Sequence, residues 1–230
     1  MGLVRAAAVL DNLIAEGEIE PVIGIFITPG RRLSRMAAAA TPLSGGLAAL
    51  GMRNAAADAQ RSFEYDSMTE LYSRFLAEDI LPAAERHLAG DAQCNWKITS
   101  DPACRAVCGM SSGGICAFNC SWHRPDLFGL VISHCGSYVN LRGGHNLPWI
   151  VRNTAPRKPI HKIFMQSGKH DMDKPRGNWA LANQTMSAAL EYAGYVVRFE
   201  FGEGVHSLRH GGALFPETLR WMFGTTRPKL

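Results

Sequence analysis

No C-x-x-C pair occurs among the six cysteines of this chain, Cys94, Cys104, Cys108, Cys116, Cys120 and Cys135. The C-x-x-C spacing of dithiol redox sites is therefore missing. Cys108, Cys116 and Cys135 stand among apolar or small residues, where free cysteine behaves as a small hydrophobe. Of disulfides, a metal site and reduced core thiols, the last is the first choice, and it predicts a cytoplasmic setting. No apolar run approaches the roughly 20 residues of a membrane span. The opening stretch MGLVRAAAVLDNLIAEGEIE carries charges through its second half, unlike a signal peptide. A strong excess of one charge is also lacking: the net charge is +4, and the clusters GRR (30–32) and RKPIHK (157–162) are short and free of aromatics. They read as solvated surface rather than a nucleic-acid face. With no internal repeat and no low-complexity linker, residues 1–230 read as a single domain, and 47% hydrophobic composition supplies one sizeable core.

What the chain does have is an alternation of short apolar runs with amphipathic stretches. Residues 4–16 predict a helix stopped at Gly17. PVIGIFI (21–27) predicts a buried strand closed by TPG, and residues 29–62 predict loop with at most a short helix. From Ser67 to about Leu88 apolar residues recur at helical spacing, with Pro82 set to kink or divide the helix. RAVCGM, FGLVISHC, HKIFMQS and YVVRFEF then predict strands, separated by helices over SGGICAFNCSWH and NWALANQTMSAALEYAG and followed by one over GGALFPETLRWMF. Five short apolar strands with helices between them predict an α/β fold, a mostly parallel sheet covered on both faces.

Within this pattern, Gly109-Met110-Ser111-Ser112-Gly113 fits G-x-S-x-G, with Ser111 central, at a junction of strand and helix. Such a turn exposes a serine nucleophile at the carboxyl edge of the sheet, where ligands of open parallel sheets gather. Ser112 is the alternative nucleophile, but the glycine frame favours Ser111. The backbone N–H of Ser112, at the helix N-terminus, suits a developing oxyanion better. A serine hydroxyl needs a base and a group to orient that base. GKHDMD offers Asp171 or Asp173 after one strand, and GEGVHS offers His206 after the next. Serine, aspartate, histidine is the chain order used by the hydrolase fold that carries such a turn. His134, His145, His161 and His170 are further bases in principle, His134 reading rather as a wall residue. His206 and His210 have the spacing of a helical zinc pair, but no glutamate follows the first histidine and no third ligand is evident. Neither metal nor cofactor is expected.

RSFEYDS, GMSSGGICAF, SHCGSYVNLRGGH, GNWALANQTM and FGEGVHSLRHGG together resemble the esterase family related to enterochelin esterase and esterase D, of the α/β-hydrolase superfamily, from about Leu10 to Phe223. The resemblance implies hydrolysis of carboxylic esters such as siderophores, plant cell-wall esters or thioesters. It places the acid three residues after the glycine closing its strand, hence Asp171 after Gly168, and the base at His206. It also implies a fold of about eight strands. The first strands, one of which carries the second oxyanion donor, have no counterpart here. TPG (28–30) is a weak substitute for that donor. The gap motivates an expected homo-oligomer, a homodimer being simplest, and one alternative function, a non-catalytic or degraded hydrolase fold serving as a binding or assembly module. An acyltransferase using the same triad is a further alternative, since only the acceptor differs. The loop Val139–Trp149 is the expected pocket wall, with Arg142 and His145 as substrate-binding candidates; Arg61 and Glu64 suggest a structural ion pair.

Overall fold

A computed structural model describes residues 4–30, 60–90 and 96–224. Four strands, β1 (Ala106–Met110), β2 (Leu130–His134), β3 (Lys162–His170) and β6 (Val197–Val205), form one sheet in the order β1-β2-β3-β6. Every pairing in it is parallel. β4 (Asp173–Lys174) and β5 (Gly177–Asn178) make a small antiparallel ribbon between β3 and the following helix.

The alternation of side chains along a strand divides the core in two. Val131, Ile163 and Met165 face one way and pack against helices Ser112–His123, Leu147–Asn153 and Trp179–Tyr192. Leu130, Ile132 and Phe164 face the other way and meet helices Ala6–Ala15 and Leu208–Phe223. β2 is buried at every position, as a central parallel strand covered on both faces must be. The expected α/β class is therefore the observed one.

Two expectations change. Pro21–Ile27 forms no strand: residues 21–30 are irregular, and Ile25 and Phe26 are exposed. Strand hydrogen bonds are made with a neighbour, and apolar composition cannot supply one. Among the described residues no strand pairs with the outer edge of β1, so four strands build the sheet instead of five. The second correction concerns the cysteines. Cys116, Cys120 and Cys135 are buried, but Cys104 and Cys108 are exposed. Cys108 lies on the outermost strand and Cys104 in the turn Pro102–Cys104. All five are free thiols, and Cys94 lies outside the described residues.

Pro82 acts as expected. The helix Leu71–Phe75 widens into a π turn at Leu76–Ile80 and resumes as Leu81–Ala89. The proline gives no N–H, and its ring crowds the carbonyl four residues back, which a wider turn accommodates. A further helix over residues 60–66 carries the RSFEYDS motif. Most of the 29–62 expectation lies outside the described residues. Among those residues, no helix is long and apolar enough to cross a membrane.

Candidate active site

Ser111 occupies the junction between β1 and the helix Ser112–His123, with φ 58° and ψ −118°. A positive φ at a residue with a side chain is strained, at a cost of roughly 1–3 kcal/mol that the surroundings must hold in place. They do so through hydrogen bonds. The Ser111 N–H donates to the His134 carbonyl at the end of β2, and the Ser111 carbonyl accepts from Gly114, Ile115 and Ser137 N–H groups. Of the two motif glycines, Gly109 is the one the turn requires. A Cβ there would lie 2.3 Å from the Gly113 carbonyl oxygen, whereas one on Gly113 would meet open space.

The acid and base arrive from β3 and β6. These strands run closely together at their carboxyl ends, where a Cβ on Gly168 would lie 2.1 Å from the Gly204 oxygen. A register shift between Gly168 and His170 ends the regular pairing. Asp171 then turns back on Gly168, and His206 follows the last residue of β6. Their side chains meet: His206 Nδ1 lies 2.5 Å from Asp171 Oδ1, and His206 Nε2 lies 2.9 Å from Ser111 Oγ. Burial pushes the Asp171 carboxyl up, but hydrogen bonds from His206, from Ser167 Oγ and from the Met172 N–H outweigh it and hold it below the usual carboxylate range. An ionised carboxylate only accepts, so Nδ1 carries the proton and Nε2 is left to accept from the serine hydroxyl.

Ser112 is buried, with its hydroxyl donating to Asp66 Oδ2 at 3.1 Å and accepting from Arg61 at 3.3 Å. Its side chain is thus committed to the 60–66 helix, leaving Ser111 as the serine that faces the histidine. Burial raises the Asp66 carboxyl, and hydrogen bonds from Ser112 and Ser62 oppose that shift. Arg142 donates to Ser62 Oγ and lies over the Phe63 ring, so it braces the same helix. His145 is exposed on the turn Gly144–Asn146. Neither takes part in the contacts that join Ser111, His206 and Asp171. The Gly30 N–H of TPG donates to the Glu64 carboxylate, which also holds Gln60, and so is spent away from Ser111. A cleft of about 420 Å³ beside this helix is lined by Phe63, Tyr72 and Phe75, among others, and by none of the three triad side chains.

Asp173 is exposed on β4, and His170 pairs with Glu203 at the surface. His134 is buried beneath the sheet edge, and the Gln166 amide is bonded to His210. His206 and His210 therefore serve different partners and make no metal pair. Cys135, Asp171 and His206 do bring ligand atoms within 4.8 Å of one another. A cation there would have to displace the Asp171–His206 hydrogen bond, and burial pushes the Cys135 thiol up to about 12, away from the thiolate that metals bind.

Sequence reasoning passed over three neighbours. Ser167 Oγ donates to Asp171 at 2.7 Å. Ser137 Oγ lies 3.3 Å from Ser111 Oγ, and Trp179 donates its indole N–H to Ser137 while its ring stands edge-on to His206. All three lie at or just beyond the carboxyl edge of the sheet, and a search of every strand end for hydroxyls would have found two of them.

A ferulic acid esterase has a similar fold, with a TM-score of 0.66 at 17% identity over 96% of this chain and 78% of that one. The enterobactin esterase from Shigella flexneri, with 2,3-di-hydroxy-N-benzoyl-glycine, gives 0.63 at 18% identity, covering 93% of this chain. This chain matches 47% of that protein's length. No curated protein matches it in sequence. The family described as "Putative esterase" matches residues 2–222, a span that takes in the whole site. This chain therefore belongs to that esterase family, as a carboxylic ester hydrolase on a mostly parallel sheet.

Proposed function

We propose that Ser111, His206 and Asp171 form a catalytic triad that hydrolyses esters through an acyl-enzyme. The observation that carries this reading is His206 bridging the other two, 2.9 Å from the hydroxyl and 2.5 Å from the carboxylate. As Ser111 Oγ bonds to the acyl carbon, its proton passes to His206 Nε2 and the carbonyl π pair moves onto oxygen. Collapse of this intermediate breaks the bond to the alcohol, which leaves with the proton from Nε2. Water repeats the sequence: it gives a proton to Nε2, its oxygen bonds to the acyl carbon, and the acid departs as Ser111 recovers its hydrogen. Asp171 stays ionised and balances the imidazolium. The Ser112 N–H receives the oxyanion.

For substrate, one neighbour named a ferulic acid esterase and another holding 2,3-di-hydroxy-N-benzoyl-glycine support esters whose acid part carries an aromatic ring, and we assign the pocket rim to Val139–Trp149 with Arg142 and His145. A panel of short acyl, feruloyl, catecholate and sugar esters tests this. Release of carboxylic acid that vanishes in Ser111→Ala is the expected result. Turnover that survives Ser111→Ala would refute the triad.

A further inference from the structure

Two side chains behind the nucleophile are unused by the triad. The Trp179 indole nitrogen lies 3.2 Å from Ser137 Oγ, and Ser137 Oγ lies 3.3 Å from Ser111 Oγ. Trp179 and Ser137 are both buried, so water does not compete freely for these groups.

The direction of each hydrogen bond is fixed from both ends. An indole N–H can only donate, and an ionised carboxylate can only accept. Ser137 Oγ therefore accepts from Trp179, and its own hydrogen remains to be given. From the other end, Asp171 takes the Nδ1 hydrogen of His206, and Nε2 takes the hydroxyl hydrogen of Ser111. Ser111 Oγ then has only lone pairs to offer Ser137. One consistent arrangement results: Trp179 N–H to Ser137, Ser137 O–H to Ser111, Ser111 O–H to His206, and His206 Nδ1–H to Asp171.

On this basis, which rests on the triad reading above, we propose that Ser137 is a fourth catalytic group, a hydroxyl that donates to the nucleophile oxygen, and that Trp179 is the positioning residue behind it. Negative charge collects on Ser111 Oγ as its proton moves toward His206, and a donor already aimed at that oxygen is worth more in the transition state than before it. Ser137 keeps its own proton throughout. Its backbone serves the same end, since the Ser137 N–H holds the Ser111 carbonyl at 3.1 Å. Trp179 fastens both groups that contact Ser111 Oγ, bonding Ser137 and packing edge-on against the His206 ring at a centroid distance of 6.0 Å.

A double-mutant cycle over Ser137→Ala and Trp179→Phe tests this, read by steady-state ester hydrolysis and by the rate at which a fluorophosphonate labels Ser111. Ser137→Ala should lower both kcat and the labelling rate about tenfold, as loss of one hydrogen bond made chiefly in the transition state does, with KM unchanged. Ser137→Thr keeps the hydroxyl and should recover most of the loss. Trp179→Phe keeps the ring against His206 and should slow the parent, yet add little further slowing once Ser137 is alanine. Labelling of Ser137→Ala at the parent rate, an effect confined to KM, or fully additive losses would overturn the proposal. Should Ser137→Ala not fold, Trp179→Phe examines the same chain of bonds from its far end: slowed labelling supports it and an unchanged rate overturns it. If the parent itself is not labelled at Ser111, the triad reading fails and this inference falls with it.

Discussion

His134 should make the protein sensitive to mild acid. It is the last residue of β2 and only 2% exposed, and among the described residues neither ring nitrogen has a partner at hydrogen-bond geometry, the Gln166 amide beside it being turned to His210. The Phe164 ring stands edge-on to it at 6.0 Å, and Gly211 leaves so little room that a Cβ there would lie 2.6 Å from its Nδ1. Burial pulls the imidazole down to about 4; the nearby Gln166 side chain opposes this shift and His210 adds to it. In the unfolded chain the same group titrates at the ordinary 6.5. Between these values the unfolded state binds the proton more readily, so stability rises with pH over this window and is lost as pH falls from 6.5 toward 4. For these two values, the loss from pH 7 to pH 5 is about 2 kcal/mol from this one ring. His134→Leu removes the titration and leaves no buried polar atom to satisfy. Urea unfolding of both proteins at pH 7 and pH 5 gives the difference directly. The wild type should lose about 2 kcal/mol more than the variant over that interval. Equal losses in the two proteins would refute the reasoning.

The remaining predictions concern the site and the sheet edge. Asp171→Asn should lower ester turnover by about 10³-fold or more, since it disturbs the tautomer that leaves Nε2 free, while exposed Asp173→Asn should change little; steady-state kinetics separate the two, and a crippling Asp173→Asn would move the acid. Gly109→Ala should destabilise by about 1–3 kcal/mol because backbone meets the new Cβ, whereas Gly113→Ala in the helix should be neutral or slightly stabilising; thermal melts would show the contrast. The unpaired outer edge of β1 among the described residues should be covered by a second copy of the chain, giving a dimer in light scattering; a strict monomer at all concentrations would contradict it.

The fold was legible where a local pattern also determined the tertiary outcome. The short apolar runs 130–132 of β2 and 163–165 of β3 become buried on both faces, and the strand-to-helix junction at Ser111 carried its own glycine signature. Asp171 and His206 could be ranked because parallel strands deliver their carboxyl ends to one edge. Pro21–Ile27 misled for the opposite reason: its composition matches a strand, but pairing is a property of two segments. Ser137 and Trp179 were passed over for a related cause. Their roles lie in contacts 26 and 42 residues apart in sequence, which no single segment displays. Arg142 was chosen for its charge, and that charge is used at least partly to brace Phe63 and Ser62.

The most direct measurement of the central claim is intact-mass and peptide analysis after reaction with a fluorophosphonate, run on the parent, Ser111→Ala, Ser112→Ala and His206→Ala. A hydroxyl activated by His206 at 2.9 Å should become phosphonylated rapidly, with one adduct per chain on the peptide containing Ser111. Ser112→Ala, whose backbone N–H is retained, should still be labelled, while His206→Ala should react only slowly. Labelling on Ser112 instead, or an equal rate with and without His206, would contradict the account.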